Sequence, residues 1–273
     1  MIVFPNCKIN LGLHILQKRG DGFHNLETVF YPIPIHDGLE VIQMDNRASE
    51  LIFTTSGLPV DGALESNICY KAYHLLKRDF PNLPSAKMHL HKQIPTGAGL
   101  GGGSSDGAFA LLALNKKFNL GLSEAELMER SIQLGSDAPF FIVNKPSYAT
   151  GRGEELIPVQ TDLSLFKLLI VNPNIHINTG WAFSQIRPHT DRPAIKELIQ
   201  LPYTEWKDRL SNDFEPPIFN AFPQIAVLKE TMHNQGALYA AMSGSGSTVY
   251  GIFQKEADLT HLRFPEHYFV KEV

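Results

Sequence analysis

Pro95-Thr96-Gly97-Ala98-Gly99-Leu100-Gly101-Gly102-Gly103-Ser104-Ser105 is the stretch whose conformation governs the rest of the chain. Ahead of it Met88, Leu90 and Ile94 read as a strand, and behind it apolar residues keep helical spacing as far as Phe118. A strand-to-helix turn of this kind aims backbone NH groups and the positive end of a helix dipole at one anion. Five glycines let the backbone approach closely, and the two serines add hydroxyl donors where a nucleotide's phosphates would sit. A merely flexible turn has no need of a serine pair opening an apolar helix. Gly97 to Gly102 also satisfies G-x-G-x-x-G, the dinucleotide fingerprint of an oxidoreductase. That reading needs a second strand ending in an acidic residue about 20 positions on. Ser123-Glu124-Ala125-Glu126, which opens another helix, stands there instead. No Gly-Lys-Ser/Thr follows the glycines, so a Walker A loop is excluded as well.

Working outward, Ile9, Leu11, Leu13 and Ile15 alternate with Lys8, Asn10, Gly12 and His14, the pattern of a half-buried strand with a polar face. Gly20-Asp21-Gly22 is a turn signal, and Leu26 to Ile35 reads as the second strand of a hairpin. Ser66 is expected to cap a helix carrying Ile68, Ala72, Leu75, Leu76 and Phe80. Ser123 and Glu126 have capping-box spacing, and Asp137 follows the helix they open. Tyr148 to Val159 reads as a hairpin around Gly151-Arg152-Gly153, Pro223 to Gln235 as a helix, and a last helix and strand are expected to close the chain. Strands Leu238 to Met242 and Thr248 to Phe253 flank Ser243-Gly244-Ser245-Gly246-Ser247. Strands and helices mix without strict alternation, which predicts an α+β class.

The chain has 273 residues, 43% of them apolar, enough for two modest domains, expected at 1–158 and 159–273. A net charge of −4 gives no global attraction for nucleic acid or an anionic membrane, so any phosphate grip must be local. No apolar run approaches the roughly 20 residues of a membrane span, and Met1 to Phe4 predicts no signal peptide. Two cysteines, Cys7 and Cys69, form neither a disulfide framework nor a zinc spacing and predict a cytoplasmic protein with free thiols. His89 and His91 share a strand face but lack further ligands, so no metal site is expected.

Pro95 with the Gly-Leu-Gly-Gly-Gly-Ser-Ser run resembles the phosphate motif of the GHMP small-molecule kinases. Cys7-Lys8-Ile9-Asn10-Leu11 resembles the first motif of that superfamily, and Met242-Ser243-Gly244-Ser245-Gly246-Ser247 its third, all in the family's order. Within the superfamily, Arg19-Gly20-Asp21-Gly22-Phe23-His24 resembles a signature of the 4-diphosphocytidyl-2-C-methyl-D-erythritol kinases, as do Gly135-Ser136-Asp137-Ala138-Pro139, Gly151-Arg152-Gly153-Glu154 and Ser211-Asn212-Asp213. Cys7 stands where Ala is expected, Phe23 where Tyr is frequent, and Gly107 interrupts an Ala-rich helix start, loosening it by up to about 1 kcal/mol.

The resemblance implies an N-terminal nucleotide-binding domain and a C-terminal ferredoxin-like domain with the active site in the cleft between. It implies ATP with Mg²⁺ as phosphoryl donor and a cytidylyl alcohol of the non-mevalonate isoprenoid pathway as acceptor. Asp137 would orient or accept the hydroxyl proton, with Lys8 fixing the carboxylate near the transferred group. Pro95 through Ser105 would hold the ATP, and Asn10, Phe23, His24, Thr179 and Phe183 the substrate. On residue type alone, Phe23 and His24 suit stacking on a pyrimidine and packing on the hairpin equally. Asp106 at the helix start suits the dipole or Mg²⁺. Another acceptor, such as homoserine, mevalonate or a sugar, is the alternative, as is a nucleotide-binding regulator without turnover. The oligomeric state is not legible.

Overall fold

The computed structural model describes residues 1–45 and 49–273. Its strands are β1 (Ile2–Val3), β2 (Asn6–Lys18), β3 (His24–His36), β4 (Gly38–Gln43), β5 (Leu51–Gly57), β6 (Ala86–Lys92), β7 (Ser147–Thr150), β8 (Glu155–Pro158), β9 (Phe166–Asn172), β10 (Tyr239–Met242), β11 (Val249–Gln254) and β12 (Phe269–Glu272). The helices are α1 (Ile68–Asp79), α2 (Gly102–Phe118), α3 (Glu124–Ile132), α4 (Ala138–Val143), α5 (Thr179–Ser184), α6 (Ile195–Leu198), α7 (Trp206–Arg209), α8 (Glu215–Ala221) and α9 (Pro223–Asn234).

Two compact units divide the chain, Met1–Cys7 with Pro34–Thr96 and Gly101–Lys145, and Lys8–Ile33 with Gly97–Leu100 and Pro146–Val273. Each unit gathers segments from both halves of the sequence, and backbone pairing ties early segments to late ones. Lys8 N donates to Leu100 O at 2.9 Å, and Thr248 N donates to Ala98 O at 3.2 Å.

In the first unit a sheet of order β1-β4-β6-β5 lies with α1 to α4. Strand β6 alternates inward Ala86, Met88, Leu90 and Lys92 with more exposed Lys87, His89 and His91, so a lysine occupies a core position. Helix α1 is capped by Asn67, whose side chain accepts from Cys69 N at 2.9 Å. The expected cap, Ser66, instead closes a 3₁₀ turn by donating to Ala63 O. Helix α2 buries Ala108, Ala110, Leu111, Ala113 and Leu114 and ends on left-handed Asn119, while α3 carries the expected Ser123–Glu126 capping box.

In the second unit one sheet has the order β2-β3-β7-β8 and another β10-β11-β9-β12. The second sheet is antiparallel throughout, and its order matches the ferredoxin-like arrangement, with β9 and β11 central. Val171, Phe214, Ile218, Ile225, Met232 and Phe253 form its core with α8 and α9. The closing strand β12 is present, but the helix expected before it is not, and residues 255–268 run as turns and extended chain. Asp258 accepts from Thr260 N, and Pro265 lacks a donor, two features that compete with helix. Strand β2 is buried on both faces from Asn6 to Ile15, where a half-buried strand was expected, because Asn6, Lys8, Asn10 and His14 each find a polar partner.

Candidate active site

Lys8 is 3% exposed on β2, a costly place for an ammonium unless polar groups surround it. Its Nζ donates to Asn10 Oδ1 at 2.6 Å and reaches Gly99 O at 3.4 Å, and it lies 4.8 Å from the centre of the Phe30 ring. Asn10 is fixed on every side. Its Nδ2 donates to Thr28 Oγ1 at 3.0 Å, its N to Ser243 Oγ at 3.3 Å, and its carbonyl accepts from Tyr250 OH at 2.7 Å.

The glycine loop touches Lys8 through its first half. Gly99 has φ +80°, and a Cβ there would collide with Ser243 O, so both conformation and proximity require glycine. Ser243 Oγ donates to Gly99 O at 2.8 Å, which ties the third glycine segment to the first. Ala98 and Leu100 are buried, so these two offer a ligand their backbone, not their side chains, while Thr96 and Gly97 are exposed. His176 lies 3.7 Å from the place a Gly97 Cβ would take, a neighbour that sequence gave no sign of.

In the first unit, Gly101 adopts φ +69° as the residue before α2, turning the chain so that Gly102, Gly103, Ser104 and Ser105 form the first helical turn. Ser105 Oγ is fully buried and has no hydrogen-bond partner among the described residues. Asp106, at the start of the helix, lies inside the core. It is 2% exposed, and its Oδ2 accepts from Lys92 Nζ at 2.6 Å, while Lys92 also donates to Asp37 Oδ2 at 2.5 Å. Asp37 Oδ1 accepts from the backbone N of Gln93 and Ile94. Burial pushes the Asp106 carboxyl up to about 8, with Asp37 adding to the rise and the Lys92 ammonium opposing it. This Asp37–Lys92–Asp106 cluster binds the end of β6 to the start of α2 and escaped sequence reading, although the inward register of Lys92 announces it.

Asp137 occupies the residue before α4, half-buried, with Ser136 Oγ donating to its Oδ1 at 3.5 Å and Pro139 stiffening the first helical turn. The Gly135-Ser136-Asp137 segment packs at the start of α2, where a Gly135 Cβ would meet Ser104 Oγ at 3.4 Å. Pro95 is half-buried just ahead of the loop.

On the hairpin between β2 and β3, Arg19 N donates to Phe23 O at 2.8 Å and Phe23 N to Asp21 Oδ1 at 3.1 Å. Phe23 is 54% exposed, with the Arg152 guanidinium 5.1 Å from its ring centre. Arg152 is held in turn by Glu154 at 3.0 Å. His24 stacks on Phe183 at 4.8 Å and 17°, and burial, helped by nearby Lys18, lowers its basicity, favouring the neutral imidazole. Phe183 packs edge-on against Phe214, and Thr179 Oγ1 lies 3.4 Å from Ser245 Oγ. The structure therefore joins His24 with Phe183, Thr179 with the third glycine segment, and Asn10 with Lys8.

Residues 67–145 match the GHMP kinases N terminal domain, and residues 193–268 the GHMP kinases C terminal domain. A Bacteroides fragilis protein named 4-diphosphocytidyl-2-C-methyl-D-erythritol kinase is 48% identical over 264 residues, covering 97% of this chain and 96% of the relative. The chain belongs to the 4-diphosphocytidyl-2-C-methyl-D-erythritol kinase family. A crystal structure described as 4-(cytidine 5'-diphospho)-2C-methyl-D-erythritol kinase superposes with a TM-score of 0.79 at 30% identity, covering 92% of this chain and 90% of that one. Methanococcus jannaschii mevalonate kinase shares the fold, with a TM-score of 0.68 at 12% identity over 100% and 97% of the two chains. Membership in the kinase family accounts for the ordered glycine segments. Among the described residues no three His, Cys, Asp or Glu side chains group to hold a metal, and no helix is long and apolar enough to cross a membrane.

Proposed function

We propose that this chain transfers the γ-phosphoryl group of ATP to the 2-hydroxyl of 4-diphosphocytidyl-2-C-methyl-D-erythritol, a step of the non-mevalonate isoprenoid pathway. The observation that carries the reading is the desolvated Lys8 ammonium held against the glycine loop by Asn10 and Gly99. Phosphoryl transfer asks little covalent chemistry of a protein; it asks for alignment and for neutralisation of charge spread over the γ-phosphate oxygens. Lys8 supplies positive charge in a site of low dielectric, where it acts more strongly than in water. The NH groups and dipole at the start of α2 receive phosphate oxygens. Mg²⁺ bound with ATP would supply charge neutralisation at the phosphates.

Asp137 orients the acceptor hydroxyl. As the new O–P bond forms and the bond to the ADP oxygen breaks, the hydroxyl proton passes to the Asp137 carboxylate, and ADP leaves. A loose transition state releases that proton late, so the placement of the carboxylate matters more than its basicity. Phe23, His24 and Phe183 hold the pyrimidine, the neutral imidazole serving as both donor and acceptor along its edge. The protein works in the cytoplasm. Homoserine, mevalonate and sugars are not favoured as acceptors, because the homoserine and mevalonate kinases and a sugar kinase of this fold match at low identity and carry the fold alone.

An ATP-coupled assay over a panel of alcohols tests the reading. Turnover is expected with the cytidylyl substrate, and Asp137→Asn should lose at least about 100-fold in kcat while staying folded. Full activity in that variant refutes the role of Asp137. Phe23→Ala with His24→Ala should raise KM for the cytidylyl alcohol and leave KM for ATP; an unchanged value removes both from the substrate site.

A further inference from the structure

Ser211-Asn212-Asp213 matches no catalytic chemistry, yet its middle residue is 2% exposed and points its amide at the third glycine segment. Asn212 Nδ2 donates to Met242 O at 2.7 Å and to Gly244 O at 2.9 Å, the carbonyls on either side of Ser243, and its Oδ1 accepts from Phe214 N at 3.0 Å. One side chain thus brackets a single residue of the loop. Ser243 in turn holds two parts of the site, since its hydroxyl donates to Gly99 O at 2.8 Å and accepts from Asn10 N at 3.3 Å. Asn10 and Gly99 both lie within reach of Lys8 Nζ, at 2.6 and 3.4 Å.

We infer that Asn212 is a positioning residue for phosphoryl transfer, acting through Ser243 to fix Gly99 and Asn10 and thereby the Lys8 ammonium. The inference rests on the role of Lys8 given above. The segment holding Asn212 is anchored independently of its amide, which separates positioning from folding. Leu13 N donates to Ser211 O and Asp213 N to Leu13 O, both at 2.9 Å, zipping the segment to β2. Asp213 also accepts from Ile15 N at 2.7 Å and pairs with Arg192. Truncating the amide leaves these ties in place while releasing the loop.

A displacement of a catalytic group by about 1 Å costs on the order of 100-fold in rate. Asn212→Ala and Ser243→Ala should therefore each lower kcat between about 10- and 100-fold, with KM for ATP and for the alcohol within about threefold of wild type. Asn212→Asp keeps the size, loses both donors, and should fall as Asn212→Ala does. Because Asn212 acts through Ser243, the double variant should be no slower than Ser243→Ala by more than about twofold. The inference is overturned if Asn212→Ala, folded by circular dichroism, keeps its kcat, or if the two losses multiply. Should Asn212→Ala not fold, Ser243→Ala decides alone, and an unchanged kcat there overturns the inference. Lys8→Met separates the premises. If it retains turnover, the role of Lys8 fails and the inference falls with it; if it loses turnover while Asn212→Ala and Ser243→Ala do not, only the inference fails.

Discussion

Replacing Asp106 by Asn tests whether the Asp37–Lys92–Asp106 cluster stores a proton. Lys92 Nζ binds both carboxylates, but Asp37 accepts three hydrogen bonds among the described residues, whereas Asp106 Oδ1 is buried and accepts none from them. Burial raises the Asp106 carboxyl to about 8, against an unfolded value of about 3.9. The folded protein then binds more protons than the unfolded chain between those limits, so this group's contribution to stability is lost as pH rises through that window. The slope approaches about 1.4 kcal/mol per pH unit at most. Asp106→Asn keeps the shape and removes the titration, and groups elsewhere cancel in the comparison of the two proteins. Urea unfolding at pH 5, 6, 7, 8 and 9 should show the variant gaining on the wild type up to about pH 8, by at most about 4 kcal/mol from pH 5, and then holding level. A difference that stays flat from pH 5 to 8 would refute the stored proton and return Asp106 to ordinary acidity.

Gly99→Ala should cost more than Gly97→Ala in both thermal stability and ATP turnover, because Gly99 combines φ +80° with a collision at Ser243 O while Gly97 has φ +68° and meets only His176, at an ordinary contact distance of 3.7 Å. The backbone penalty alone is about 1–3 kcal/mol at each, and equal losses would sink the close-contact argument. Gly107→Ala gains about 1 kcal/mol of helix propensity but puts a Cβ 2.7 Å from Ile68 Cγ1 and 3.3 Å from Leu134 Cδ1. It should destabilise the wild type and stabilise an Ile68→Ala background, a reversal of sign read from urea midpoints.

Local signals carried much of the architecture. The glycine run with its serine pair located the start of α2, the Ser123–Glu126 spacing located α3, and Pro223 opened α9 where expected. Helix α4 was invisible because Ala138 to Val143 is an unbroken apolar run with no polar face to set a period. Asn67 displaced Ser66 as a cap through one hydrogen bond, a margin below what propensity resolves. For the proposed site, residue type and position on β2 mark Lys8 and Asn10 as candidates, and the hairpin turn marks Phe23 and His24. The pairing of Asn212 with carbonyls 30 and 32 positions away could not be read, since tertiary contact alone selects that partner. Lys92 lies between these cases: its inward register in Ala86 to Lys92 demanded acidic company without saying which acids.

The chain passes from one compact unit to the other after Cys7, Ile33, Thr96, Leu100 and Lys145. No single cut releases either unit intact, and a fragment ending at residue 158 would keep Lys8–Ile33 and Gly97–Leu100 while discarding most of the residues they pack with. Recombination between related genes at one crossover would likewise exchange half of an interwoven pair. Inheritance of this scaffold is therefore all or nothing, and its variants have to diverge by point changes within the chain, not by trading modules.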